Sequence, residues 1–377
     1  MNGINEAARD LWGQIFERAA AQPDATIWDP TSDDDDGERF RQAMKGAGWD
    51  DQEITARFEY LQTLEPPAVA TSPGVAPFLE PHANRIAERI SAALAAKGVA
   101  HQPVLVGIDP RAGVEAGLTN VIMTQEAVLT VTSFFFRWCG LIARAYTRTL
   151  QLDPYYWSEA ETSPAADRLL LLRNIDLVLY WNRIFVSFAS TGTHALVPYR
   201  PATPKELTLF EQVAWSLEYF AFSHEYGHHV LAHRGPDDDP IEQEHAADRF
   251  AMNIADELID EPFRLVDNPY IANGAGAVLL LMANDTLRWA RENDVREAGE
   301  RRTHPQTSDR ISRIANRHVM QPVRLKVDRD FCDTVARIMT AVDGVVREFY
   351  ERGGQGVVHN IQTSIREATT NYSAPAL

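Results

Sequence analysis

FAFSHEYGHHVLAH, residues 220–233, sets four histidines and one glutamate into a stretch that otherwise has the apolar spacing of a buried helix. The whole chain has only eleven histidines in 377 residues, and an apolar helix is a poor solvent for a polar ring. His224 and His228 are four residues apart, so on an α-helix they leave the same face about 6 Å apart along the axis. Two imidazoles so placed can share one cation. Glu225 completes the pattern HExxH, in which the carboxylate stands beside a metal-bound water and can take its proton. The longer run PKELTLFEQVAWSLEYFAFSHEYGHHVLAH, residues 204–233, begins with a proline and carries apolar residues at helical intervals, the setting that this pattern requires.

A catalytic zinc ordinarily takes three protein ligands and leaves a fourth position for water. The third ligand is expected in EQEHAADRFA, residues 242–251. The histidine helix is expected to end near Arg234, GPDDDP has turn chemistry, and a second helix is expected from Ile241. A helix-turn-helix would fold Glu244 back against the two histidines, with Asp248 one turn further along the same face. From there Asp248 can accept a hydrogen bond from the non-ligating nitrogen of His224 or His228 and fix its tautomer. His229, His233 and His245 fall on other faces or offsets and read as surface or packing residues.

Composition limits the alternatives. With 45% hydrophobic and 24% charged residues the chain has the balance of a globular protein of one or two domains. A net charge of −17 argues against a nucleic-acid binder or a polybasic membrane-surface protein, both of which need excess lysine and arginine. The two strongest apolar runs, residues 127–136 and 275–283, are too short for a helical membrane span and read as core. The first twenty residues lack the regions of a secretory signal, and two cysteines provide no disulfide framework, so a cytoplasmic location is expected.

Along the chain, residues 1–65 read as an acidic helical region, a candidate surface for a regulator. Residues 66–81 read as a Pro-rich linker, and residues 82–377 as the main domain. The acidic stretch TSDDDDGE invites a calcium loop, but aligning Gly37 with the glycine of an EF-hand loop puts Ser32 and Ala43 where carboxylates are required. It reads instead as a solvated loop. QPVLVGIDP (102–110) and LTNVIMT (118–124) have the β-branched density of strands. Helices are expected over 125–150, 165–189, 204–234, 241–260, 273–292, 305–318 and 328–352. The fold class is therefore α+β, mainly helical, with a small sheet beside the histidine helix.

Three motifs carry a family resemblance. HEYGHHVLAH (224–233) resembles the HExGHxxxxH segment of the HtpX-like and CAAX-prenyl-protease-like zinc metallopeptidases, which are gluzincins. EHAAD (244–248) resembles their ExxAD motif, and RTHPQTSDRISRI (302–314) is similar to their threonine-histidine-proline segment with its following arginine and isoleucine. The resemblance implies a zincin-like domain holding one zinc per chain through His224, His228 and Glu244, with Glu225 as general base and Asp248 orienting a ligand. It further implies that His304 and Arg310 lie at the substrate cleft; an oxyanion donor is expected there as well, with Tyr226 and His304 as the candidates. The interval from His228 to Glu244 has no room for inserted membrane helices, so a soluble variant is expected.

Together these readings predict a zinc-dependent endopeptidase acting on a protein or peptide, with water activated by the metal and Glu225. The substrate is expected to lie extended along an exposed strand near 119–123. Two alternatives stand beside it: a zinc-containing regulatory or protein-binding module without hydrolysis, and a dedicated regulatory peptidase of the ImmA type.

Overall fold

The computed structural model describes residues 6–354 apart from 23–24, 26–33, 63–71, 73–74, 77, 102–103, 122–123, 125, 159–162, 232–238, 259–267, 295–305 and 319. Three helices come first: α1 (Glu6–Ala20), α2 (Asp34–Gly46) and α3 (Asp51–Gln62). Helix α4 (Leu79–Ala96) leads into a sheet of β1 (Val104–Asp109), β2 (Ala116–Asn120) and β3 (Ala127–Thr132). Helices α5 (Phe135–Leu150), α6 (Pro154–Ser158), α7 (Pro164–Leu172) and α8 (Ile175–Thr191) follow, then α9 (Leu207–Val230) and α10 (Pro240–Leu258). The chain continues through α11 (Pro269–Ala272), α12 (Ala275–Asp294), α13 (Thr307–Ala315) and α14 (Pro322–Phe349). The fold is mainly helical α+β, as the sequence predicts.

Two boundaries differ from the sequence expectation. The helix expected over 125–150 begins as β3, which runs parallel to β1 and antiparallel to β2 in the strand order β1-β3-β2. Its AVLTVT run is almost wholly buried because it is the central strand, and burial on both faces erases the alternation that marks a half-exposed strand. The helix expected over 165–189 breaks into α7 and α8, where the Asn174 carboxamide oxygen accepts from the Leu177 N–H and starts a new helix. The aspartates expected in a solvated loop begin α2 at Asp34. Most of the expected linker, 66–81, lies outside the described residues, as does all but Asp239 of the expected turn before α10.

Elements from both ends of the chain surround α9. The main core runs through α4, α5, α8, α9, α12 and α14. On the other side of the sheet, α1 packs Trp12 over β1, and Gly107 makes this possible: a Cβ there would lie 2.5 Å from the indole. Trp49, just before α3, donates from Nε1 to the Ala202 carbonyl at 2.7 Å, fixing the N-terminal helices beside the start of α9. Both cysteines are buried and free. No described helix is long and apolar enough to cross a membrane.

Candidate metal centre

The start of α9 is specified locally. Thr203 and Glu206 form a reciprocal cap: the Glu206 N–H donates to Thr203 Oγ1 at 3.3 Å, and the Thr203 N–H donates to Glu206 Oε2 at 2.8 Å. From there α9 runs 24 residues through the interior, burying side chains on every side, including His224. The next helix, α10, starts where Asp239 Oδ1 accepts from the Ile241 N–H at 2.9 Å, with Pro240 at its first position.

Helices α9 and α10 pack closely, and Gly227 sits at the contact. A Cβ on Gly227 would stand 3.0 Å from Ala247 Cα and 3.2 Å from Ala247 O. A glycine inside a helix costs about 1 kcal/mol relative to alanine, so its presence there calls for a packing reason. The reason is geometric. Because the two backbones nearly touch at Gly227 and Ala247, the residues on either side, Glu244 and Asp248, reach His228 and His224. Sequence reasoning gave Gly227 no role, although a glycine between the two histidines of an otherwise regular helix was a usable signal.

His224, His228 and Glu244 converge as a group able to hold a metal ion. His224 Nε2 and His228 Nε2 are 3.1 Å apart, His224 Nε2 and Glu244 Oε2 3.4 Å, and His228 Nε2 and Glu244 Oε1 3.4 Å. Tetrahedral zinc with bonds of about 2.0–2.1 Å needs ligand atoms about 3.3–3.4 Å apart. The donor triangle therefore has the dimensions of one face of such a tetrahedron, and its two nitrogens and one carboxylate are zinc-type donors. The residues fit the ion.

The layer behind the donors is equally ordered. Asp248 Oδ1 lies 3.0 Å from His224 Nδ1, which leaves His224 Nε2 directed at the donor triangle. Arg310, from α13, donates from Nε to Asp248 Oδ2 at 2.7 Å and from a terminal nitrogen to Oδ1 at 2.6 Å. Its other terminal nitrogen is 3.5 Å from Glu244 Oε2. Both Asp248 and Arg310 are buried. Arg310 was expected at the cleft, and it lines it, but its fork onto Asp248 requires α13 to dock on α10 and was not legible locally.

The electrostatics follow from burial opposed by neighbours. Burial works against a charge on His224, but its hydrogen bonds to Asp248 and Glu244 outweigh this and raise its pKa to about 9. Burial alone would raise Glu244, yet the same histidines and Arg310 hold its carboxyl far below the usual range. Glu225 shifts upward, chiefly through burial, against the lowering influence of His224 and His228. The donor set is a place that favours positive charge.

A cleft of about 200 Å³ opens over the site. Its lining includes His224, Glu225, Glu244 and Arg310 from the helices, and Val114, Glu115 and Ala116 from the sheet side. The cleft thus meets the sheet just before and at the start of β2; of the expected stretch 119–123, residues 122 and 123 lie outside the described residues. Tyr226 is not brought to the cleft: one residue beyond Glu225 is about 100° around the helix, and its hydroxyl faces α4, 3.5 Å from Ser91 Oγ and from the Ala87 carbonyl. His229 also points elsewhere, with Nδ1 3.3 Å from Asn120 Oδ1 of β2, and His245 is buried. His233 and His304 lie outside the described residues.

No match was found among curated proteins or solved structures. Residues 200–325, which span α9, the donor triangle, α10 and Arg310, are similar to the family model Peptidase U49, and what that similarity shares with the resemblance of the three short motifs is peptidase character.

Proposed function

We propose that the chain is a zinc-dependent metallopeptidase whose centre is held by His224, His228 and Glu244. The single observation that carries this reading is the donor triangle, with edges of 3.1, 3.4 and 3.4 Å, beside a glutamate that lines the same cleft. When bound, a zinc ion supplies Lewis acidity, which acidifies a water molecule and polarises a peptide carbonyl. The chain's own residues do the rest. Glu225 takes a proton from the attacking water as its oxygen bonds to the carbonyl carbon, and returns that proton to the amine nitrogen as the C–N bond breaks. Asp248 holds the His224 ring by its Nδ1 atom, and Arg310 holds Asp248. The start of β2 offers main-chain groups along which an extended peptide can lie.

The number of donors favours this reading over a purely structural zinc. Structural sites usually enclose the ion with four protein ligands, whereas three groups converge among the described residues and a cleft opens beside them.

The test is metal content by elemental analysis of the wild type, Glu244→Ala and Glu225→Gln, beside hydrolysis of an unfolded protein such as casein and of peptide mixtures. About one zinc per chain is expected in the wild type and in Glu225→Gln. Zinc should be weakened or lost in Glu244→Ala, and hydrolysis should be confined to the wild type. Hydrolysis that survives in Glu225→Gln would overturn the general-base role, and a wild type that takes up no metal would overturn the whole reading.

A further inference from the structure

A second cavity, of about 920 Å³, lies between α2, α5, α9 and the 194–199 segment. That is the size of a ligand pocket, and it is larger than the cleft over the donor triangle. Its wall is aromatic, with Phe136, Tyr199, Phe210 and Trp215, and two arginines of α5 enter it. Arg137 and Arg144 are seven residues apart, so they lie on one face of α5 about 10 Å apart along its axis.

The two arginines are unusual in what they lack. The chain has 53 acidic against 36 basic residues, yet among the described residues neither arginine makes an ion pair. Arg144 stacks over Tyr199 and Phe210, with its guanidinium carbon 5.8 and 5.1 Å from the ring centroids, and its Nε is buried with no hydrogen-bond partner. Arg137 is exposed into the cavity, 5.8 Å over Phe78. The two carboxylates of the wall are already engaged elsewhere: Glu211 by Arg57 at 2.5 Å and Glu218 by His82 at 2.9 Å. Two guanidinium groups set against ring faces, neither with a hydrogen bond or ion pair to a protein acceptor among the described residues, form a receptor for a planar anion, and a carboxylate is the planar anion that a guanidinium fork matches.

The position of the cavity says which carboxylate. Glu218 lies on the same side of α9 as Ala221 and Glu225, and seven residues of helix place it about 10 Å from Glu225. Arg144 stands farther off, over Phe210, which is fifteen residues and about 22 Å along the helix from Glu225, so three to seven residues of extended peptide cover the range from Glu218 to Phe210. Phe135 and Phe136, consecutive in α5, line the catalytic cleft and the cavity respectively. The geometry points to a recognition subsite in which Arg137 and Arg144 bind a carboxylate of the peptide substrate, an acidic side chain or the C-terminus, about three to seven residues from the bond to be cut. The nature of the ligand rests on the peptidase reading, whereas the affinity of the cavity for a peptide carboxylate does not.

The test reads binding without hydrolysis. Full-length Glu225→Gln protein is immobilised and offered three mixtures of hexapeptides: one with a single glutamate and an amidated C-terminus, one with glutamine and a free C-terminal acid, and one with glutamine and an amide. Retained peptides are counted by mass spectrometry. At least tenfold enrichment of one acidic mixture over the neutral one is expected, and which mixture is enriched identifies the source of the carboxylate. Arg137→Gln/Arg144→Gln should abolish the preference. Arg137→Gln alone, at a position exposed into the cavity, should reduce it severalfold and serves if the double variant does not fold. Equal retention of the three mixtures, retention of none, or a preference that survives both variants overturns the assignment. Failure of the peptidase reading is separately visible as a wild type with neither zinc nor hydrolysis, a result that leaves the peptide preference free to appear.

Discussion

Replacing Gly227 with alanine tests whether the approach of two helices builds the donor triangle. The new Cβ would lie 3.0 Å from Ala247 Cα and 3.2 Å from Ala247 O, where ordinary contacts are 3.4–4 Å, so α10 must withdraw by a few tenths of an ångström. Overpacking of this kind costs about 1–3 kcal/mol, and the better helix propensity of alanine returns about 1 kcal/mol, leaving a net loss of about 0–2 kcal/mol. The same retreat carries Glu244 away from the histidines, lengthening two edges of 3.4 Å that already sit at the upper limit for tetrahedral zinc. A loss of zinc affinity of about 10–100-fold follows, the range typical of disturbed support around a metal ligand. The control is Gly344→Ala in α14, where an added Cβ meets nothing within 4 Å; it should gain about 0.5–1 kcal/mol from the same chemical change. Urea unfolding reports stability, and competition with a chromophoric chelator reports affinity. If Gly227→Ala gains as much stability as Gly344→Ala and holds zinc as tightly as the wild type, the close approach is not what positions Glu244.

Other expectations are more quickly stated. Arg310→Met should destabilise the protein by about 3–5 kcal/mol in urea, because it strands the buried Asp248 charge; Asp248→Asn/Arg310→Met should cost less than the two single changes added together. His194 should titrate at about 4 by NMR, since burial and the nearby Arg137 charge both disfavour its protonated form; Arg137→Gln should raise that value. An unfolded chain takes up this proton near 6.5 and the folded one does not. The His194 contribution is therefore complete above about pH 6.5 and is lost as pH falls toward about 4, so His194→Gln should flatten that part of the stability profile.

The sequence made the donor residues legible because their spacing and the helix period are the same fact: four residues separate His224 from His228, and four separate Glu244 from Asp248. Each pair needs only its own helix. What was not legible depends on how separate elements meet. Arg310 reaches Asp248 only because α13 docks on α10, and the cavity around Arg137 and Arg144 is bounded by α2, α5, α9 and a loop that no local pattern brings together. Tyr226, a candidate oxyanion donor, turns instead toward α4, because one step along a helix from Glu225 points a side chain at another neighbour. The AVLTVT run failed as a helix because complete burial in a central strand removes the period by which the two are told apart.

The helix that holds the histidines is also the one around which the molecule is assembled, touching α4, α5, α10, α11, α12 and β2. Loosening the elements packed on α9 therefore loosens the centre. Heating or denaturant should release a bound ion in the same cooperative transition that melts the helical signal, with no partly unfolded form that keeps its metal. For such a chain the retention of metal would serve as a measure of how much of the population is folded.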